Sequence, residues 1–273
     1  MPPKSKRKEP AAKPTKSSGS QPPKKDAEQK PQPPNWPPLR PLVPASDLTL
    51  ESLLEDQIYI IRNFFTSTLC KNYVSFLSSL PLVTTPGKPK KGEAVRVNDR
   101  FQVDDAAFAE TLWSSTALKE LVEGSLRDSD GSQATMRKMW GGEPLGLNPN
   151  IRIYRYKPGQ FFAQHYDDSN TLTFTPSNPK ANSTTTTPEP AAVSVPARTT
   201  WTLLIYLTAC EGGETVFYPD PTATDRSPKP IAVAPEVGMA LLHRHGERCL
   251  LHEGREVRSG EKWVVRSDLV VAR

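Results

Sequence analysis

Few cysteines, few glycines and no long apolar run limit what this 273-residue chain can be. Its three cysteines are an odd number and widely separated, so we expect no disulfide framework and a reducing compartment, the nucleus or the cytoplasm. Fifteen glycines are too few for a collagen repeat. No stretch approaches the roughly 18 consecutive apolar residues of a membrane-spanning helix, so we expect no membrane partner. The charged first residues are not followed by an apolar segment, so we also expect no secretory signal.

Basic charge is concentrated at the N-terminus. Residues 1–44 hold 10 of the 35 Lys and Arg, 3 of the 30 Asp and Glu, and 13 of the 29 prolines. This composition predicts a disordered, extended tail over residues 1–44, followed by a nearly neutral folded body over residues 45–273. Within the tail, Lys4–Lys8 resembles a short nuclear-localisation signal, for which a solubilising basic arm is the alternative.

The apolar spacing predicts an α+β body in which helices precede strands. Helices are expected at about 66–80 and 106–123, after a strand at 58–65. Short strands separated by glycine-containing turns are expected at 151–156, 201–207, 215–218, 239–244 and 262–271. Residues 169–199, rich in Ser, Thr, Asn and Pro, predict a mobile surface insertion. The pattern favours a double-sheet β-fold, with its core at about 150–273 and the N-terminal helices packed outside.

One of only four histidines belongs to a His-x-Asp pair. His165 and Asp167 are two residues apart, so on an extended segment they project to the same side and could bind one cation. A third ligand must come from elsewhere, and His252 lies 85 residues after Asp167. Two imidazoles and one carboxylate leave coordination positions open, which suits non-haem Fe(II) oxygenases. Zinc is the alternative ion, but no motif supplies the general base that a zinc hydrolase needs.

A lysine begins the strand ten residues after His252. If the side chain of Lys262 points into a barrel, its buried ammonium needs an anionic partner, which a dicarboxylate cosubstrate would supply. Arg266 shares the parity of Lys262 and is the second candidate for this contact, with a structural ion pair as its alternative role.

Three segments resemble the 2-oxoglutarate- and Fe(II)-dependent dioxygenases, in particular their prolyl 4-hydroxylase-like branch. The first is YRYKPGQFFAQHYD at 154–167, and the second joins 202–207 to EGGET at 211–215. The third runs from GMALL at 238–242 through HEG at 252–254 to GEKW at 260–263. They occur in the expected order over roughly residues 150–270. Residues 1–44 and the 169–199 insertion have no counterpart in the family pattern.

The resemblance implies a double-stranded β-helix (jelly-roll) core that binds Fe(II), 2-oxoglutarate and O2, with ascorbate as the reductant. The implied iron ligands are His165, Asp167 and His252. The distal carboxylate of 2-oxoglutarate would be held by Lys262, Tyr156 and Thr202. By this similarity, 2-oxoglutarate is decarboxylated to succinate while a substrate is hydroxylated.

Two further groups of residues are expected to lie near the site. Arg96, Asn98 and Arg100 lie in a segment that resembles the substrate-facing region of the family, with a charged loop as the alternative. His243 and His245 are expected to line the barrel or to form hydrogen bonds, although a bulky aromatic is usual near His243 in the family.

Three functions remain open at this point. Hydroxylation of a prolyl or other protein side chain is favoured. A nucleic-acid-modifying dioxygenase is suggested by the basic tail, but the folded body lacks the excess of basic residues that such binding usually needs. A catalytically silent jelly-roll binding module is the non-enzymatic alternative. The acceptor itself is not defined by the iron site, because one fold serves many substrates.

Overall fold

Two antiparallel β-sheets face each other in the computed structural model, which describes residues 32–85, 91–124, 133–175 and 193–273. The strands are β1 (Glu51–Leu54), β2 (Ile58–Ile61), β3 (Val83–Thr84), β4 (Arg96–Val97), β5 (Asp99–Asp104), β6 (Pro144–Leu147), β7 (Asn150–Tyr156), β8 (Phe161–His165), β9 (Thr171–Phe174), β10 (Val195–Tyr206), β11 (Glu211–Gly212), β12 (Thr215–Tyr218), β13 (Ile231–Val233), β14 (Ala240–Arg244), β15 (Leu251–Gly254), β16 (Val257–Ser259) and β17 (Lys262–Ala272).

The larger sheet has the strand order β1-β2-β14-β10-β17-β7-β5-β3, with β6 paired to β17 and β9 paired to β10. The smaller sheet has the order β13-β12-β15-β8-β4, and β11 pairs separately with β16. Strands that are distant in sequence are therefore neighbours in both sheets. This arrangement confirms the expected jelly-roll core.

Four helices flank the strands within the described residues: α1 (Ser67–Leu77), α2 (Ala106–Ser115), α3 (Leu118–Gly124) and α4 (Gln133–Met139). The single helix expected at 106–123 is divided into α2 and α3. The backbone of Thr116 is extended, and its hydroxyl accepts a hydrogen bond from the amide of Leu118 while donating to the carbonyl of Leu112. A β-branched residue whose hydroxyl satisfies backbone groups on both sides favours a cap over a helix interior.

The larger sheet is buried on both faces. Along β2, Ile58 and Ile60 join an apolar cluster inside the barrel, whereas Tyr59 and Ile61 join the core beneath the helices. The same alternation along β17 directs Val264 inwards and Trp263 and Val265 towards the helices. Side chains of a strand alternate between faces, so residues 262, 264 and 266 all face the barrel interior.

Part of the segment that the sequence predicted to be a disordered tail packs against the helices. Residues 32–44 belong to the expected tail, yet the ring of Trp36 stacks on Phe108 with a centroid separation of 4.1 Å, and its indole N–H donates to Asp105. Leu39 is buried, and the hydroxyl of Tyr73 donates to the carbonyl of Pro37. One tryptophan and one leucine supply enough apolar surface to hold this proline-rich segment against α1 and α2. Residues 1–31 lie outside the described residues.

Both ends of the segment 169–199, which was expected to be a mobile insertion, belong to strands. Strand β9 pairs with the first half of β10, from Val195 opposite Phe174 to Arg198 opposite Thr171. The threonines there are β-branched and suit strands, which a composition-based reading counts as low complexity. Residues 176–192 lie outside the described part of the chain.

None of the helices in the described segments is long and apolar enough to span a membrane.

Candidate active site

Two histidines and one aspartate meet inside the barrel mouth. Strands β8 and β15 are neighbours, and His252 lies directly opposite His165 in their register. Asp167 follows β8, and its carboxylate oxygens lie 3.9 Å from Nε2 of His165 and 3.8 Å from Nε2 of His252. One donor atom from each residue lies within 4.8 Å of the others. The structure therefore brings together the three residues that the sequence nominated as metal ligands.

Backbone carbonyls orient both imidazoles. Nδ1 of His165 lies 2.8 Å from the carbonyl of Ala163, and Nδ1 of His252 lies 2.9 Å from the carbonyl of Leu250. A carbonyl only accepts, so each Nδ1 carries the proton and each Nε2 keeps its lone pair for a metal. Burial, and then the nearby His252, lower the pKa of His165 to about 4. Burial likewise lowers the pKa of His252. Both rings are neutral at pH 7, as metal ligation requires.

A second set of potential ligands shares His252. His243, Cys249 and His252 also lie close enough to hold an ion. Burial raises the pKa of the Cys249 thiol to about 11, however, so the thiolate that a metal needs is scarce at neutral pH. Sγ of Cys249 lies 3.9 Å from Nδ1 of His252, the nitrogen already engaged by Leu250. The set containing Asp167 is therefore better suited to a hard divalent ion such as Fe(II).

Asp167 also forms an ion pair with Arg266. Nη2 of Arg266 lies 3.0 Å from Oδ2 of Asp167, and Nη1 donates to Oδ1 at 3.2 Å. Burial by itself would raise the pKa of Asp167, but the Arg266 guanidinium holds this pKa well below its usual value. The carboxylate is thus ionised. The contacts of Arg266 are those of the structural ion pair considered as its alternative role, and it also pairs with Asp268.

Thr202 lies beside Asp167, far from the expected cosubstrate contact. Its hydroxyl donates to Oδ2 of Asp167 at 2.9 Å and lies 3.0 Å from Nδ1 of His245. In the register of β10 with β17, Thr202 is level with Asp268, six residues along the strand from Lys262. At about 3.3 Å per residue, six residues correspond to roughly 20 Å along the strand between the levels of Lys262 and Thr202. The resemblance placed Thr202 near the distal carboxylate of 2-oxoglutarate, but its level in the barrel depends on this long-range register.

Lys262 is enclosed deep in the barrel. Its side chain lies between the rings of Tyr156 and Tyr206, with Nζ 5.5 and 5.3 Å from their centroids. Nζ donates to the carbonyl of Gly213 at 2.7 Å and lies 3.5 Å from the hydroxyl of Thr215. No carboxylate in the described residues forms an ion pair with it. Burial lowers the pKa of Lys262 to about 8, so it is mostly charged at pH 7.

Two residues of this pocket were missed in the sequence. The hydroxyls of Thr215 and Tyr206 lie 2.8 Å apart and next to Lys262. Thr215 follows the Glu-Gly-Gly-Glu turn, where Gly213 has a φ of +70° that other residues rarely adopt. The inward parity of Tyr206 with Thr202 was the available signal. An ammonium surrounded by hydroxyl groups matches the needs of a carboxylate, so the pocket fits a dicarboxylate such as 2-oxoglutarate.

The two spare histidines differ in their surroundings. His245 is held at both ring nitrogens, by the hydroxyls of Thr202 and Thr199 at 3.0 and 2.9 Å. His243 instead directs Nε2 towards Oδ2 of Asp167, 3.8 Å away. Burial lowers the pKa of both rings. Both are buried in the barrel, and His243 fills space at the edge of the candidate metal site.

A groove of about 1180 Å³ opens onto His165 and Asp167 from the solvent side. Arg96 and Arg100 are among the residues that line it. Asn98, the third residue expected to face substrate, is fully buried, and its Oδ1 lies 3.1 Å from the hydroxyl of Thr85. The chain crosses from the smaller to the larger sheet at Asn98, which explains why this side chain is enclosed between them.

The family model of the 2OG-Fe(II) oxygenase superfamily matches residues 151–267 of this chain. This stretch contains His165, Asp167, His252 and Lys262. The segment that forms most of the barrel therefore matches this superfamily, in agreement with the resemblance in the sequence. No curated protein matches the chain in sequence.

Solved oxygenase structures resemble this domain at low sequence identity. The viral collagen prolyl hydroxylase vCPH of Paramecium bursaria Chlorella virus-1 is 17% identical, with a TM-score of 0.42 over 79% of this chain and 97% of the other. A Pseudomonas putida prolyl-4-hydroxylase is 12% identical, with a TM-score of 0.45 over 80% and 94%. HygX from Streptomyces hygroscopicus, solved with nickel and 2-oxoglutarate, is 16% identical, with a TM-score of 0.42 over 79% and 83%. Similarity at this level does not define a substrate.

Proposed function

We propose that the domain is an Fe(II)- and 2-oxoglutarate-dependent dioxygenase that hydroxylates a side chain of a protein or peptide, in the manner of a prolyl 4-hydroxylase. One observation supports this most directly. His165 and His252 have their Nδ1 atoms fixed by backbone carbonyls, so both Nε2 lone pairs are free to share a metal ion with Asp167.

The proposed metal ligands are His165, Asp167 and His252. Once bound there, Fe(II) supplies the redox chemistry that couples decarboxylation of 2-oxoglutarate to hydroxylation. Arg266 and Thr202 keep the Asp167 carboxylate ionised and oriented, because both donate hydrogen bonds to it. The remaining coordination positions are left to the cosubstrate and O2, since the described ligand set contributes only three donors.

Lys262 is proposed to bind the distal carboxylate of 2-oxoglutarate. Its buried ammonium has no acidic partner among the described residues, and Thr215, Tyr206 and Tyr156 surround it. The cosubstrate would exchange the Gly213 carbonyl contact of Lys262 for a charge-assisted hydrogen bond in a site shielded from water. Tyr156 retains its predicted place at this pocket, whereas Thr215 replaces Thr202.

The groove on the solvent side is proposed to hold the substrate. It reaches His165 and Asp167, so a side chain inserted from it approaches the candidate metal centre opposite to the Lys262 pocket. Its volume of about 1180 Å³ exceeds the roughly 300–1,000 Å³ of small-molecule pockets and suits a peptide segment. Arg96 and Arg100 are the proposed substrate-facing residues.

Turnover provides the test of this function. Full-length protein incubated with Fe(II), 2-oxoglutarate, O2 and ascorbate, the proposed reductant, should release succinate. His165→Ala and Lys262→Ala should lose this activity, whereas Arg62→Gln, an exposed substitution outside the site, should retain it. Proteins that gain about 16 Da with active enzyme, and not with His165→Ala, would identify the hydroxylated substrates by mass spectrometry. Equal succinate formation by wild type and both site variants would refute the proposal.

Location in the nucleus or cytoplasm is also kept as a proposal. It is based on the sparse cysteines and on Lys4–Lys8, which lies outside the described residues.

A further inference from the structure

Two arginines are held at the groove by aromatic rings. Arg96 lies on β4 opposite Phe162 of β8, and its guanidinium is 5.0 Å from the centroid of that ring. Arg100 lies on β5 opposite Tyr154 of β7, with a guanidinium-to-centroid distance of 6.0 Å. Strands β4 and β8 belong to the smaller sheet, whereas β5 and β7 belong to the larger one. The groove therefore receives one positioned guanidinium from each sheet.

Neither of these two arginines forms an ion pair within the described residues, although the carboxylates of Glu93 and Asp168 also line the groove. Arg152 and Arg266, which also line the groove, form ion pairs with Asp268. In contrast, no described acidic side chain forms an ion pair with Arg96 or Arg100. The hydrogen-bonding partner of Arg100 is the neutral amide of Gln102. Half-buried guanidinium groups with unused donors provide a site for anions, carboxylates in particular.

Electrostatic repulsion within the groove supports this reading. Burial lowers the pKa of Arg100, and the positive charges of Arg96 and Arg152 lower it further, although Tyr154 acts in the opposite direction. The arginine remains charged, but its charge is held in an unfavourable environment. An anion bound between Arg96 and Arg100 would relieve that repulsion.

We propose that the groove selects an acidic peptide, in which Asp or Glu carboxylates flanking the hydroxylated residue bind Arg96 and Arg100. This inference rests on the proposed function and adds the substrate class. Arg96 and Arg100 act as specificity-determining residues, and neither is assigned a part in the oxidation itself.

The aromatic residues of the groove favour a peptide over a nucleic acid. Single-stranded nucleic acids bind by stacking their bases on open aromatic faces. The ring of Phe162 is already stacked on the imidazole of His165, with a 3.5 Å centroid separation, and also carries Arg96. Tyr154 is buried. Of the aromatic residues lining the groove, Tyr166 is the exposed one, so the described lining offers a single face for stacking a base.

Binding of matched probes tests the inference. Three fluorescein-labelled 13-residue peptides have a central proline flanked on each side by three Glu, three Gln or three Lys residues, and a labelled 12-nucleotide DNA strand is the fourth probe. Full-length protein is loaded with Fe(II) and 2-oxoglutarate without O2, and Kd is measured by anisotropy. We expect the Glu peptide to bind at least tenfold more tightly than the Gln peptide.

The variants separate the two arginines from general charge effects. Arg96→Gln combined with Arg100→Gln should weaken Glu-peptide binding at least tenfold and leave Gln-peptide binding unchanged. Arg62→Gln removes one positive charge outside the groove and should change the affinity for neither peptide. Arg96→Glu combined with Arg100→Glu should reverse the preference in favour of the Lys peptide, which loss of folding cannot mimic.

Two outcomes overturn the inference. One is equal affinity for the Glu and Gln peptides. The other is tighter binding of the DNA strand than of the Glu peptide, lost in the same arginine variants. Succinate release without peptide is measured in parallel and reports on the proposed function separately. Normal succinate release without Glu preference contradicts only the substrate class, whereas a Glu preference without succinate release contradicts the oxygenase function and leaves the acidic-peptide site standing.

Discussion

Arg266 places its guanidinium Nη2 3.0 Å from Oδ2 of Asp167, the carboxylate proposed to bind iron. The same oxygen accepts a hydrogen bond from Thr202 at 2.9 Å. A carboxylate has about four lone-pair positions, so these contacts leave room for a metal on the side that faces His165 and His252. Residues of the larger sheet thus keep the Asp167 carboxylate ionised and oriented, although Asp167 follows a strand of the smaller sheet.

Replacement of Arg266 should destabilise the metal-free protein. Arg266→Gln leaves the buried Asp167 charge with less compensation, a change that typically costs about 3 kcal/mol of unfolding free energy. For a domain of this size we expect the Tm to fall by roughly 6–12 °C. Because a divalent cation would compensate the freed carboxylate, Mn(II) should raise the Tm of Arg266→Gln by more than that of wild type. Thermal denaturation with and without Mn(II) measures both effects.

An exposed ion pair is the control for this experiment. Arg62 pairs with Glu236 at the surface, and exposed pairs contribute only about 0–1 kcal/mol. Arg62→Gln should therefore leave the Tm nearly unchanged, with and without Mn(II). An unchanged Tm in Arg266→Gln, or an equal Mn(II) response in both proteins, would show that Arg266 does not balance Asp167.

Replacement of Thr202 tests whether its hydroxyl acts on Asp167, as the structure indicates, or on 2-oxoglutarate, as the sequence predicted. Thr202→Val keeps the shape but removes the hydrogen bond to Asp167, so metal affinity should fall about 10-fold, in the range for residues that orient metal ligands. The KM for 2-oxoglutarate at saturating metal should not change. Steady-state kinetics at varied Fe(II) and varied 2-oxoglutarate separate these effects. A raised KM for 2-oxoglutarate with normal Fe(II) dependence would instead place Thr202 at the cosubstrate.

Lys262→Met should separate cosubstrate binding from folding. Loss of a charge-assisted hydrogen bond should lower kcat/KM for 2-oxoglutarate by roughly 100-fold, which corresponds to about 2.7 kcal/mol. The ligand-free variant should be at least as stable as wild type, because an apolar side chain replaces a buried ammonium that lacks an acidic partner. Kinetics and thermal denaturation test the two parts. A destabilised variant with normal kcat/KM would assign Lys262 a purely structural role.

The charge of Lys262 should also make the activity depend on pH. The pKa of Lys262 is lowered to about 8 by burial, so its charge is present below that pH and is lost as the pH rises through it. Accordingly, kcat/KM for 2-oxoglutarate should fall about tenfold per pH unit above pH 8, because this ratio reports the free enzyme. At saturating 2-oxoglutarate the fall should move to higher pH, since the bound carboxylate favours the charged lysine. Lys262→Arg should abolish the fall, and a fall that persists in this variant would assign the pH dependence to another group.

Local patterns predicted much of the candidate site. His165 and Asp167 share a side because strand side chains alternate, and the same parity directs Lys262 and Arg266 inwards. The pairing register of strands that are distant in sequence could not be predicted from local patterns. It determines that Thr202 reaches Asp167, and that Thr215 is the threonine near Lys262.

Composition was a poorer guide where a few residues determine the outcome. The proline-rich segment that contains Trp36 was expected to be disordered, yet Trp36 stacks on Phe108. Such a contact depends on a partner about 70 residues away, which no local window contains. Asn98 was expected to face substrate because its segment resembles the substrate-facing region of the family, but it marks the crossing between the sheets and is buried.

Anaerobic Fe(II) binding, measured by equilibrium dialysis, tests whether His165, Asp167 and His252 bind the iron. Wild type should bind one Fe(II) per chain, and His165→Ala, Asp167→Ala and His252→Ala should each lose that binding. His243→Phe and Cys249→Ala, which alter the other set of potential ligands, should retain it. The proposed metal site would be refuted if His165→Ala and Asp167→Ala still bound one Fe(II) while His243→Phe or Cys249→Ala did not.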